Sequence, residues 1–158
     1  MNISEFKSLL AQSEFTPKEI LEVLAKDENW YICASVARNP NVPKEILKAL
    51  AKDKDSVVRA SVAQNPNAPK EILGILAKDE NWFVRECVAE NTNIPKEILE
   101  ILAKDKYYRV RKAIAKNPNT PKEIQEILEI LAKDKDWIVC KSVAKIMQIK
   151  IKIDLNMV

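Results

Sequence analysis

The sequence predicts an all-α solenoid of five two-helix repeats. Three observations carry that expectation. The stretch Pro43-Lys44-Glu45-Ile46-Leu47-Lys48-Ala49-Leu50-Ala51-Lys52-Asp53 returns in close copies from Pro17, Pro69, Pro95 and Pro121. The copies are 26 residues apart, and a fixed period of this size marks stacked units. The chain holds 1 glycine, too few for a fold rich in tight strand turns. Ala, Leu, Ile, Glu and Lys dominate, as they do in helical proteins. Such a stack has no single central core, because each unit buries its apolar side on its neighbours.

The first element is a degenerate half-repeat. Counting back from Pro17, Phe6, Leu10 and Ala11 fall in the slots later held by Ile32, Val36 and Ala37. Residues 4–12 therefore read as a helix that caps the first layer, since the exposed end of a solenoid needs a cover. The segment from Met1 to Gln12 has no long apolar run and no basic leader, so no signal peptide is expected. No stretch approaches the length of a membrane span, and a soluble cytoplasmic protein is expected.

Each unit then opens with helix A, at the repeated proline. Proline suits the first helical position, where its missing N–H would be unpaired anyway. Glu19, Glu45, Glu71, Glu97 and Glu123 follow two residues on, at the positive end of the helix dipole. Thr16-Pro17-Lys18-Glu19 and Thr120-Pro121-Lys122-Glu123 read as capping boxes. Ile46, Leu47, Leu50 and Ala51 form an apolar stripe at helical spacing.

Helix B comes next, in five copies: 30–38, 56–64, 82–90, 108–116 and 137–145. On a helical wheel Ile32/Val36, Val58/Val62, Val84/Val88, Val110/Ile114 and Val139/Val143 point inward. Ala37, Ala63, Ala89, Ala115 and Ala144 permit close approach of helices. Asn39-Pro40, Asn65-Pro66 and Asn117-Pro118 end the helix, because a residue before proline avoids helical angles. Asn91 keeps its place although Thr92 replaces the proline. The asparagine row is expected to bond loop backbone.

Unit five carries three extra residues between Ile124 and Leu131, nearly one turn. Ile124, Ile127, Leu128, Leu131 and Ala132 keep the stripe, so a longer helix is expected rather than a bulge. Residues 1–145 thus form one repeat domain. Residues 146–158 form a non-repeat tail in which Met147, Ile149, Ile151, Ile153, Leu155 and Met157 alternate with mostly polar neighbours. That period of two suits a terminal cap, an extended segment laid on the last layer, or a strand pairing with a second molecule.

Units such as Asn65-Pro-Asn-Ala-Pro-Lys-Glu-Ile-Leu-Gly-Ile-Leu-Ala-Lys-Asp79, followed by Trp82-Phe-Val-Arg-Glu-Cys-Val-Ala89, resemble the leucine-rich repeat variant family. The Asp-x-x-x-x-Val-Arg run also resembles HEAT-like repeats. The resemblance covers residues 14–145 in order as well as composition. It implies a right-handed superhelix in which one helix per unit is of 3₁₀ type, and it implies binding or scaffolding rather than catalysis. The family's founding protein carries a cysteine-ligated iron–sulfur cluster ahead of its repeats. Clustered cysteines are missing here, so the resemblance carries over no cofactor. Cys33 and Cys140 stand where the family has arginine.

Three cysteines cannot all pair within one chain. Cys33 and Cys140 lie several layers apart, beyond the roughly 7 Å that a disulfide spans between Cα atoms. They read as small core or surface residues in a reducing compartment. With no histidine, and no carboxylate or thiol spacing that suits a metal, no metal site is expected. No glycine-rich phosphate loop occurs, and no nucleophile stands beside a base, so neither an enzyme nor a small-molecule substrate is expected.

Three recurrent sets remain. Asp53/Arg59, Asp79/Arg85 and Asp105/Arg111 repeat at a six-residue offset. They form either an arginine row for phosphates or a structural ladder, and the wheel, which sets them beside the inward stripe, favours the ladder. Trp30, Trp82, Tyr108 and Trp137 open helix B, where they either pack between layers or stack on bases. The outward stripe of helix B holds Tyr31, Ala34, Arg38; Val57, Ala60, Gln64; Phe83, Glu86, Glu90; Arg109, Lys112, Lys116; Ile138, Lys141, Lys145. The formal net charge is +3, but it is unevenly spread: residues 1–103 carry 13 basic and 16 acidic groups, and residues 104–158 carry 13 and 7. The stripe is therefore expected to dock a protein partner at Tyr31 and Phe83. The alternative is nucleic-acid binding through Arg109, Lys112, Lys116, Lys141 and Lys145. No membrane association is expected.

Overall fold

Two short helices recur in every layer, and together the described residues contain eleven. The computed structural model describes residues 2–120 and 125–145, with the side chains of 125 and 126 excepted. The helices are α1 (Ile3–Gln12), α2 (Lys18–Leu24), α3 (Trp30–Arg38), α4 (Lys44–Leu50), α5 (Ser56–Gln64), α6 (Lys70–Leu76), α7 (Trp82–Glu90), α8 (Lys96–Leu102), α9 (Tyr108–Lys116), α10 (Gln125–Ala132) and α11 (137–145). Among the described residues there is no strand. The molecule is an all-helical repeat solenoid. The alternating pattern foreseen for residues 146–158 and the start of the fifth helix A lie outside the described residues.

The B helices make the spine. α1, α3, α5, α7 and α9 pack directly on one another in a row, and α2, α4, α6, α8 and α10 form a second row against them. The predicted inward pairs are fully buried, from Ile32 and Val36 through to Val139 and Val143. Ala37, Ala63, Ala89 and Ala115 have no exposed surface, as close approach requires. Each A helix adds its own stripe, with Leu21, Leu47, Leu73, Leu99 and Leu128 buried. In α10 Ile127 and Leu131 are buried too, whereas Ala132 is exposed.

α1 takes the place of a B helix at the start of the row. Ala11 is buried, and the Ser8 and Ser35 hydroxyls meet at 3.2 Å. Asn2 and Glu5 form a reciprocal capping box at its N-terminus. Phe6, expected to fill the Ile32 slot, is 48% exposed. The first helix of a row has a neighbour on one side only, so half its circumference stays open.

Local details differ from the sequence reading at helix A. Pro17, Pro43, Pro69 and Pro95 are extended N-caps, with ψ between 144° and 152°, and the helix starts at the following lysine. Thr16 therefore sits one residue too early to cap. Its hydroxyl donates instead to the Leu10 carbonyl, and Thr120 does the same to Ile114. Both helices of each described unit are α-helices. Bonding of 3₁₀ type occurs at the helix ends, such as Ile20 N–H to Pro17 O at 3.1 Å and the consecutive Lys26 N–H to Val23 O and Asp27 N–H to Leu24 O.

B helices begin at Asn29, Asp55 and Asn81, whose side chains accept the N–H two residues on. They end at asparagines whose ψ lies between 125° and 128°. Asn91 adopts this angle before threonine as the others do before proline, so proline is not what sets it. The cause is a ladder. Asn65 Nδ2 donates to Ala37 O at 2.6 Å and to Asn39 O at 3.1 Å, both one layer back, while its Oδ1 accepts Asn67 N–H at 2.7 Å. Asn39, Asn91 and Asn117 repeat the arrangement. A second rung joins the surface: Asn41, Asn67, Asn93 and Asn119 donate to Glu14, Pro40, Pro66 and Thr92 carbonyls.

Replacing Asn65 with alanine leaves the Ala37 carbonyl and the Asn67 N–H without partners, at about 1–3 kcal/mol each before relaxation, and leaves the Asn39 carbonyl only the Val42 N–H. The expected net loss in a urea titration is about 2–4 kcal/mol. Asn65→Asp is expected to be no more stable than the alanine variant: its carboxylate still accepts the Asn67 N–H, but it has no donor for the carbonyls and sets a buried negative charge against them.

Candidate functional site

The B-helix row presents three parallel lines of side chains. The first holds Tyr31, Val57, Phe83, Arg109 and Ile138; Tyr31 is 46% exposed, Phe83 is 38% exposed, and Arg109 is exposed. The second begins with Ala34 and Ala60, which are buried rather than outward-facing. Neighbouring B helices pack closely enough to cover so small a side chain. Longer residues in the same slot climb out: Glu86 and Lys112 are half-buried and Lys141 is exposed. Arg38, Gln64, Glu90, Lys116 and Lys145 make the third line, all exposed.

Two grooves open on this face. One, of about 330 Å³, is lined by Gln12, Tyr31, Ser35 and Arg38. The other, of about 570 Å³, lies between α9 and α11 and gathers Lys112, Lys116, Lys141 and Lys145 around Trp137 and Ile138. Four of the five basic residues singled out in the sequence thus meet at one place. Arg109 stands apart, with its guanidinium 5.3 Å from the centre of the Trp82 ring. Between the grooves the face is acidic. Burial, with Glu90 beside it, raises the Glu86 carboxyl above its ordinary range, against the pull of Arg109 and Lys112.

The aromatic row does not share one environment. Trp82 and Tyr108 are half-buried, whereas Trp30 and Trp137 are exposed. Trp82 stacks on Tyr107, with ring centres 6.1 Å apart and planes at 27°. Arg85 and Lys106 also approach Tyr107, at 5.5 and 5.3 Å. Tyr107 takes a slot that holds Asn29, Asp55 and Asn81 in other units, and its departure from that pattern is the sequence signal that marks it. A second feature was not singled out in the sequence. Val23, Ile75, Ile101 and Ile130 share one slot of helix A and are all exposed. The apolar residue in that slot was legible, but the stripe beside it accounted for the core.

The arginines are not free for a ligand. Arg59 donates from Nε and Nη2 to the Asp79 carboxylate at 2.7 and 2.9 Å, and from Nη1 to the Asp53 carbonyl at 2.8 Å. Arg85 repeats this with Asp105 and the Asp79 carbonyl. Arg111 does so with Asp134 and the Asp105 carbonyl. Each arginine thus joins its own unit's turn to the next unit's aspartate, and the side chains of Arg85, Asp105, Arg111 and Asp134 are 7–8% exposed. Lys7 opens the ladder on Asp27 at 2.7 Å. Burial pushes the Asp79 and Asp105 carboxyls up, but the arginine hydrogen bonds, the backbone N–H and the nearby charges outweigh it and leave both below the usual range. At Asp134 the Arg111 hydrogen bond is the largest effect, and its pKa is lowered too.

Cys33 and Cys140 interrupt the ladder. Their thiols point at the carbonyls of Asp27 and Asp134, each at 3.1 Å, where an arginine would otherwise donate. All three cysteines are free thiols. Burial pushes the Cys87 thiol up to about 12, which removes it as a nucleophile at neutral pH. No group of three or more metal-ligating side chains occurs among the described residues. Among the same residues no helix is long and apolar enough to cross a membrane.

Comparison with known proteins agrees with this architecture. The chain is similar to a solved leucine-rich repeat variant with a novel repetitive protein structural motif, at 28% identity and a TM-score of 0.69. The match covers 92% of this chain and 57% of that one, so this chain spans a little over half of the matched structure. No family model matches the chain, and no curated protein does.

Arg85→Ala strands the buried Asp105 carboxylate and is expected to cost about 3–5 kcal/mol in a urea titration at pH 7. The penalty should shrink in acid, as protonation neutralises the orphaned group. In the parent chain the depressed aspartate values work the other way. Their stabilisation is complete above about pH 5 and is lost as pH falls below the ordinary aspartate range of about 3.9. Cys33→Arg should complete the missing rung by bonding the Asp27 carbonyl and the Asp53 carboxylate, and so raise the urea midpoint. A lower midpoint would show that the rung does not transfer to the first unit.

Proposed function

We propose that the chain is a non-catalytic docking scaffold and that it engages a protein partner through the B-helix face. A repeat solenoid offers a long surface without an enclosed reaction chamber, which is the general design of binding repeats. The observation that carries the choice of face is the pair of grooves opening on it, one of them beside Tyr31. Concave pockets flanked by partly exposed aromatics are where binding energy concentrates at protein interfaces. Tyr31 and Phe83 are the anchors in this reading, with Val57 between them in the same line. The apolar line on the A helices, where Ile75 and Ile101 stand among exposed Glu71, Lys78, Glu97 and Lys104, serves as the control surface.

The test is a pair of double variants compared in affinity capture from native lysate, with helical circular dichroism as the check on folding. Tyr31→Ala/Phe83→Ala is expected to remove the captured protein partner with the spectrum unchanged. Ile75→Ser/Ile101→Ser is expected to retain it. The reverse result would move the docking surface to the A helices.

A further inference from the structure

We propose that the groove between α9 and α11 is a binding site for single-stranded nucleic acid. Lys112 and Lys116 stand four residues apart on α9, and Lys141 and Lys145 stand four apart on α11, so the two helices present facing pairs of ammonium groups. All four line one groove of about 570 Å³, and no carboxylate among the described residues lines it. None of the four forms an ion pair among the described residues. Lys116, Lys141 and Lys145 are exposed and Lys112 is half-buried, so this cluster is open to a ligand, unlike the buried Arg85 and Arg111 of the ladder. Its charge complements a chain of phosphates.

The aromatic at its floor selects between polyanions. Trp137 is 67% exposed and Lys141 Nζ lies 5.2 Å from the ring centre, so an indole face and a cation are offered together. An acidic peptide would be satisfied by the lysines alone and would leave an apolar ring in water. A nucleotide uses both, with the base stacked on the indole and the phosphate on the ammonium groups. A second aromatic pair lies across the two preceding B layers, α7 and α9. There Tyr107 is stacked on Trp82, with Arg109 at the far ring and Lys106 at the near one. Duplex DNA keeps its bases inside, so the exposed rings favour an unpaired strand.

The experiment is fluorescence anisotropy of a labelled oligothymidylate with the whole chain. Four lysine–phosphate contacts on a single strand give a log–log salt slope of about −2.8, hence about 50-fold weaker binding between 50 and 200 mM salt. Lys112→Gln/Lys141→Gln should halve that slope. Trp137→Ala should weaken binding about tenfold at every salt concentration, because stacking carries no counterion release. Tyr31→Ala/Phe83→Ala should leave oligonucleotide binding intact, which separates this site from the protein-docking surface. Absence of binding at 50 mM salt would overturn the proposal. So would equal affinity for polyglutamate that is indifferent to Trp137→Ala, which would assign the groove to acidic protein segments instead.

Discussion

The buried asparagine carboxamide is the contact on which the rest of the molecule depends. Asn39, Asn65, Asn91 and Asn117 each reach back one layer to two carbonyls at the C-terminal end of the preceding B helix. Those carbonyls have no partner within their own helix. One amide group therefore satisfies the previous helix, ends its own helix and holds the turn that follows. Apolar packing draws the layers together, but it would tolerate sliding. Two directional bonds from a fixed side chain do not. They set the register that places Tyr31, Val57, Phe83, Arg109 and Ile138 in one line.

The arginine–aspartate rungs act at the other end of the B helices. They are nearly fully desolvated, so their value lies in geometry as much as in energy. A guanidinium that uses three nitrogens on two fixed targets tolerates little rotation between layers. Asparagine at one end and arginine at the other thus pin α5, α7 and α9 at both ends. The slot between them varies freely: a buried alanine in the first two units, a half-buried glutamate in the third, and lysine in the fourth and fifth.

Much of this was legible in the chain because the period repeats its constraints, three times for the arginine rungs, four for the asparagines and five for the inward pairs. The inward pairs, the helix bounds of the B row, the structural role of the Asp/Arg pairs and the solenoid itself follow from residues that cannot change without breaking a layer. What was illegible depends on a single neighbour. Ala34 and Ala60 sit on the outward side of a wheel, yet adjacent helices bury them, and a wheel has no neighbours. Thr16 has the spacing of a capping box but the wrong phase, because the proline itself takes the cap. Phe6 occupies a core slot in a helix flanked on one side only. The lysine groove was foreseen as a basic region, but its enclosure around Trp137 required two helices separated by the three-residue insertion.

That insertion shows which row governs the architecture. Arg59 and Arg85 reach aspartates 20 residues ahead, whereas Arg111 reaches Asp134, 23 residues ahead, with the same two-bonded grip. The additional residues are absorbed before the rung closes, so the spine does not register them. Length variation in the fifth unit is therefore confined to its A helix, while the B row keeps a strict ruler. A lineage built this way can remodel its flank by whole turns without renegotiating the surface on the opposite side.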